Sequence, residues 1–288
     1  MMHRSAATTL AVLATALTAS GAAMAQTAAA APETSPLSAN ITLTTNYKFR
    51  GQDQDQIGHH GFYKKRAIKP GLQGGFDYEF GDSGFYVGNW NASVNWLSGN
   101  SIEMDFYGGY KFTGGPIEWD VGIVTYVYPG NSAGNSTEIY GSGTYSDDAL
   151  GSITLKYSHT VSKDYFGYAG WKSGSGLKGR NTGYINVAYS KEIVPNLSLN
   201  ASVGYTRMSS DIRSLGYKSY VDYNVGASYD FGGGLSLSGS VQGANKKNIY
   251  ELATHDGIDL FGDGSFIYGG GAQSVNKARF IVALTKTF

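Results

Sequence analysis

The 288-residue sequence contains no cysteine. That excludes a disulfide scaffold, a thiolate metal centre and a cysteine nucleophile. Charge is scarce as well: Asp, Glu, Lys and Arg supply 15% of the chain, against roughly 25% in soluble domains. The 22 acidic residues balance the 22 basic ones, so nothing points to nucleic acid as a partner. Only six prolines occur, and none falls inside an alternating segment, where it would remove a ladder donor. After the N-terminus, no stretch has the roughly 18 consecutive apolar residues of a membrane helix. What the chain does have is glycine (41) and tyrosine (22). The glycines lack a three-residue period, which excludes collagen.

The first 25 residues read as a signal peptide. His3 and Arg4 give a short polar start, residues 6–19 are apolar and alanine-rich, and Ala23-Met24-Ala25 is a small-residue cleavage site. Residues 26–37, rich in Ala, Pro and Thr, read as a flexible periplasmic lead-in, and 38–288 as the folded body.

From residue 40 onward the chain alternates with period two, the mark of strands with one apolar face. Ile41, Leu43, Thr45, Tyr47 and Phe49 oppose Asn40, Thr42, Lys48 and Arg50. Phe76, Tyr78 and Phe80 oppose Gln73, Asp77 and Glu79, while Met104, Phe106, Tyr110 and Phe112 oppose Glu103, Asp105 and Lys111. Further apolar rows are expected at Tyr86-Trp90-Ala92-Val94-Trp96, at 117–127, 153–157, 185–189, 197–205, 221–231 and 235–241, and at 280–288. Five tight turns, at 81–84, 113–116, 146–148, 194–196 and 232–234, alternate with six other, mostly longer connections, at 51–69, 97–101, 129–136, 159–181, 207–217 and 245–275. That scheme needs twelve antiparallel strands with both ends on the short-turn side, as in outer-membrane barrels with short periplasmic turns and longer outer loops. Residues 165–171 have strand-like composition, but counting them would break the alternation, so they belong to an outer loop, extending a hairpin outward. A two-layer sandwich has the same periodicity. Here the polar parity is too hydrophilic for a second buried face, and the rows carry Trp and Tyr near strand ends, so the expected fold is an all-β, single transmembrane β-barrel.

The segments Ile41-Thr-Leu-Thr-Thr-Asn-Tyr47-Lys-Phe49-Arg50-Gly51, Lys69-Pro70-Gly71-Leu72-Gln73-Gly74-Gly75-Phe76-Asp77-Tyr78, Gly84-Phe85-Tyr86-Val87-Gly88-Asn89-Trp90, Glu103-Met104-Asp105-Phe106-Tyr107-Gly108-Gly109-Tyr110 and Tyr126-Val127-Tyr128-Pro129 resemble the TorF family of porin-like proteins. The likeness is dense in the first half and lies in pattern alone in the second. After Gly51 this chain carries Gln52-Asp53-Gln54-Asp55 in place of a serine-containing continuation. The resemblance implies a bacterial outer-membrane barrel and a pore, with no particular substrate. Phe288 ends the last strand as in clients of the barrel-assembly machinery.

Twelve tilted strands about 4.8 Å apart enclose a backbone diameter of about 24 Å, leaving a passage of at most about 10 Å. The inward parity supplies Asp77, Glu79, Glu103, Asp105, Glu118, Asp120, Glu138, Asp222 and Asp230 against Lys48, Arg50, Lys111, Lys156 and Arg279. The acids outnumber the bases, which favours a narrow pore for small hydrophilic solutes with mild cation preference. The alternative is that these charges pair across strands and conduct nothing. Arg50 either reaches a lumen carboxylate as a constriction or remains a rim charge.

Enzyme signals are thin. His59 and His60 share a loop with Asp53 and Asp55, a pairing able to activate water. His159 follows Ser158, but neighbours on a strand face opposite ways. The carboxylates at 255–264 lack EF-hand spacing, and no cofactor is implied. Phe62-Tyr63-Lys64-Lys65-Arg66 is a basic-aromatic cluster suited to lipopolysaccharide phosphates or to solvent. A barrel hydrolase and an adhesive barrel with binding loops remain the rival classes.

Overall fold

The computed structural model describes residues 35–57, 63–64, 68–253, 258–259, 266–267 and 272–288. The leader, most of the lead-in, His59, His60, Phe62, Lys65, Arg66 and most of the 255–264 stretch lie outside them. Twelve strands form one closed antiparallel barrel. They are β1 (Leu37–Thr44), β2 (Gly71–Glu79), β3 (Phe85–Ser93), β4 (Ile102–Gly114), β5 (Ile117–Val127) and β6 (Ser136–Asp147). The second half comprises β7 (Gly151–Thr160), β8 (Gly183–Val194), β9 (Leu197–Arg207), β10 (Tyr220–Asp230), β11 (Leu235–Ala244) and β12 (Arg279–Thr287). Each strand pairs with its neighbours in the chain, and β12 closes the ring on β1. Closure leaves no unpaired edge to manage. The five short turns share one end with Ala39 and Phe288, whose backbones exchange hydrogen bonds. The six longer connections gather at the other end.

Alternation is what turns this sequence into a wall with two different surfaces. Val225, at the centre of β10, is 59% exposed, while its neighbour Asn224 is 5% exposed. The same split runs around the ring. Phe76, Phe106, Val121, Leu155, Val187, Val203 and Leu237 point out. Asp77, Asp105, Glu138, Ser158, Asn200 and Asp222 are buried inside. An outer face of exposed large apolar residues inverts the arrangement of a soluble domain. No helix among the described residues is long and apolar enough to cross a membrane. The one α-helix among the described residues, Ser210–Ser214, is a single turn in a long connection, capped by Ser209.

Three sequence expectations require correction. First, β1 stops at Thr44, and residues 45–57 leave the wall and enter the barrel. Tyr47 and Phe49 are therefore buried inside rather than set on the outer face, and Lys48 and Arg50 are not strand residues lining the wall. Second, the row Tyr86-Trp90-Ala92-Val94 faces inward. Pairing decides this: Tyr86 sits opposite Glu79, Gly88 opposite Asp77 and Trp90 opposite Gly75, so these side chains share the interior with Asp77. Phe85 and Val87 take the outer face. Third, residues 165–171 do lie in a connection, but they fold inward, with Tyr165, Phe166 and Ala169 buried. Asp164 organises that turn by accepting from the backbone N–H groups of Tyr165, Ala169 and Trp171 at 2.8, 2.9 and 2.8 Å.

Candidate functional site: a strap across the interior

The interior has two halves. Toward the short-turn end it is lined by small polar side chains bonded to one another. Thr42 meets Thr285 at 2.8 Å, Thr144 meets Thr154 at 2.9 Å, and Ser190 donates to Asn200 at 2.9 Å. Toward the long-loop end the connection between β1 and β2 crosses the lumen as a strap. A short hairpin, Lys48–Phe49 paired with Gln52–Asp53, forms its core. Its tip, Arg50-Gly51, has positive φ at both residues, 46° and 75°. A Cβ on residue 51 would lie 2.6 Å from the Gly243 carbonyl oxygen and 2.8 Å from the Asp222 Cβ, so only glycine fits against β10 and β11.

The near end of the strap is tied to the β12 side. Thr45 N–H donates to the Val282 carbonyl, and Asp53 N–H to that of Val275, both at 2.9 Å. The Asp53 carboxylate pairs with Lys48 Nζ at 3.0 Å and with Arg279 Nε at 2.9 Å, and accepts from the Tyr63 hydroxyl at 2.8 Å. Burial lowers the Lys48 pKa, opposed by the adjacent Asp53. Gln52 Nε2 donates to Asn276 Oδ1 at 3.0 Å, and Asn95 N–H to the Gln54 carbonyl at 3.0 Å. Asp55 Oδ2 accepts from Tyr47 N–H at 2.6 Å, while its Oδ1 has no partner among the described residues. Burial, with Asp53 nearby, pushes the Asp55 pKa up to about 7.

The far end is a two-pronged ion pair. Arg50 Nη1 and Nη2 donate to Glu138 Oε1 and Oε2 on β6 at 3.0 and 2.6 Å. Nη1 also donates to the Tyr165 hydroxyl at 3.2 Å, and the guanidinium lies 4.2 Å from the centre of the Tyr184 ring on β8. Phe49 packs edge-on against Tyr126 and Phe166, at 5.6 and 5.1 Å between ring centres. Tyr168 Oη donates to Gln52 Oε1 at 2.7 Å and meets Tyr217 at 4.9 Å, so a second connection lies over the strap.

The sequence-predicted charges fall into groups. Lys48, Arg50 and Glu138 belong to the strap and its anchors. Asp77, Glu103, Asp120 and Asp222 are held by phenols: Tyr107 donates to Asp77 at 2.6 Å, Tyr47 to Glu103 at 2.8 Å, Tyr86 to Asp120 at 2.7 Å and Tyr184 to Asp222 at 3.1 Å. Tyr128 also donates to Glu103. Asp105, on β4, accepts nothing at Oδ1, and Asp222 nothing at Oδ2, among the described residues. Glu79 and Lys111 pair at 3.0 Å near the short-turn end, both partly exposed. Glu118 lies exposed at that end of β5, and Asp230 caps a turn by accepting from Gly232 N–H at 2.8 Å. Lys156 rests over the Tyr140 ring at 4.1 Å. Sequence reasoning missed the inward tyrosines, whose signal was the tyrosine content at the polar parity, and it set Asp53 beside His59 and His60 rather than in the ion pairs with Lys48 and Arg279. Ser158 is buried inside, whereas the ring nitrogens of His159 meet the Tyr157 hydroxyl and the Asn181 side-chain oxygen, so the two form no dyad.

A family described as "Bacterial protein of unknown function (Gcw_chp)" matches residues 26–288. The chain belongs to this family. No curated protein matches it. Among solved structures, the KdgM porin in complex with disordered oligogalacturonate superposes with TM-score 0.51 at 10% identity, covering 87% of this chain and 99% of that one. The NanC porin gives TM-score 0.50 at 11% identity, covering 88% of this chain and 98% of that one. At such identities the likeness establishes the barrel fold alone.

Proposed function

We propose that this Gcw_chp-family barrel is a bacterial outer-membrane channel for small hydrophilic solutes and ions, cation-preferring and narrowed at its outer end by the strap. The observation that carries the reading is the interior itself: a polar, hydroxyl-lined vestibule leads to a constriction where carboxylates outnumber basic groups and several are held by neutral phenols. Carboxylates around a narrow passage favour cations. The exposed apolar belt fits a bilayer, with short turns on the periplasmic side and long connections outside. Outer-membrane lipid, lipopolysaccharide at the long-loop end and the barrel-assembly machinery are the partners this placement implies. The narrower assignment to the TorF family rests on the motifs of the first half. Oligogalacturonate, the ligand in the KdgM complex, is a polyanion; the acidic interior here disfavours such a solute. The test is a planar-bilayer measurement under a salt gradient: the reversal potential takes the sign of cation selectivity, and an anion-selective potential overturns the reading. No arrangement of the described residues favours the hydrolase alternative.

A further inference from the structure

The constriction already holds a bound cation, and the chain supplies it. Arg50 is 3% exposed and its partner Glu138 is 1% exposed. Both Glu138 oxygens are used, at 3.0 and 2.6 Å, in the planar fork geometry that selects guanidinium. Tyr184 covers one side of the group at 4.2 Å, and Tyr165 adds a hydroxyl acceptor at 3.2 Å. An aromatic face with a buried carboxylate is the usual chemistry of organic-cation recognition. Tyr184 also donates to Asp222 Oδ1, whose other oxygen is buried without a partner among the described residues. These four residues come from β6, β8, β10 and the connection after β7, not from the strap. Arg50 itself sits in the left-handed region at φ 46°, a conformation that side-chain-bearing residues avoid. That conformation is what a two-residue hairpin loop requires, and it sets Arg50 at the tip that reaches the site.

We propose that Glu138, Tyr184, Tyr165 and Asp222 form a binding site for small solutes carrying a guanidinium group, occupied at rest by Arg50 as a tethered stand-in. The inference extends the channel reading, since a solute must reach the interior to compete. Arg50→Gly keeps the tip conformation and empties the site. In that variant millimolar guanidinium chloride should raise the thermal unfolding midpoint and bring the enlarged conductance back toward the wild-type value, whereas equal sodium chloride should do neither. Adding Glu138→Gln should weaken the guanidinium response about tenfold or more, because a charge-assisted pair is lost. Equal effects of guanidinium and sodium, or a response surviving Glu138→Gln, would overturn the proposal. Glu138→Gln alone is the second variant: it should release Arg50 and raise conductance, and wild-type conductance in a correctly assembled barrel counts against the site. Guanidinium-dependent stabilisation in a barrel that passes no current would support the site and reject the channel.

Discussion

Asp53→Asn should unseat the strap without breaking the barrel. The wild-type carboxylate is fully buried between Lys48 and Arg279, at 3.0 and 2.9 Å, with Tyr63 donating as well. The amide is nearly isosteric, so packing is preserved and only the charge is lost. Removing one partner from a buried ion pair costs about 3–5 kcal/mol. Here the low end applies. Lys48, whose pKa burial already lowers, can shed its proton once the counter-charge is gone, while Arg279 cannot. A loss of about 3 kcal/mol shifts the seated-to-released equilibrium roughly a hundredfold. Trypsin reads that shift directly, because Lys48 and Arg50 are cleavage sites only when the strap leaves the lumen. With opening fast relative to cleavage, the cut rate follows the released population. Cleavage after Lys48 or Arg50 should therefore accelerate by about two orders of magnitude, with larger single-channel currents. A variant cut at the wild-type rate, with the barrel intact by its heat-dependent gel mobility, would refute the assigned role of Asp53.

The strap should also respond to pH through Asp55. Its pKa is raised by burial to about 7, above the unfolded value of roughly 3.9. Seating is thus favoured fully at acid pH, and the contribution is lost as pH rises through about 7. Conductance should climb between mildly acid and neutral pH, and Asp55→Asn should flatten the profile; a falling profile would refute this. On the outer face, Val225→Arg should cost about 2–4 kcal/mol if β10 lies in a bilayer, and lower the yield of folded barrel in detergent-to-lipid refolding. The inward substitution Ser228→Arg should leave that yield near wild type. Gly75→Ala would place a Cβ 1.9 Å from the Asn89 carbonyl oxygen, so the β2–β3 pairing must shift; loss of the heat-modifiable band is the expected result.

Most of the fold was legible because a barrel wall is a local code. Rows such as Leu197-Leu199-Val203-Tyr205 and Val221-Tyr223-Val225-Tyr229 carry their period openly, and turns such as Pro195-Asn196 mark the reversals. The strap was not legible because residues 45–50 keep the strand rhythm after pairing ends, so Tyr47 and Phe49 continue the outer row in sequence and leave it in space. The β3 row misled for a related reason. The strap and its neighbours give the upper lumen an apolar filling: Trp90 packs on Tyr47 at 5.7 Å between ring centres. Hydropathy therefore marks both faces of β3, and only the register with β2 separates them. Arg50 and Glu138, 88 positions apart, could be proposed as lumen charges but not as partners, because their meeting depends on a connection crossing the barrel.

The seam between β12 and β1 is paired over Asn40 to Thr44 and extended by backbone bonds of Ala39 with Phe288 and of Thr45 with Val282. Since β12 follows every other strand in the chain, this zipper can be drawn only once all twelve strands have been made. Thr45 and Asp53 are fastened to Val282, Val275 and Arg279 just beyond it. The near end of the bar therefore has its posts only when the last strand is in place, while the far end rests on Glu138 of β6. Prising that zipper apart would also loosen that end of the bar.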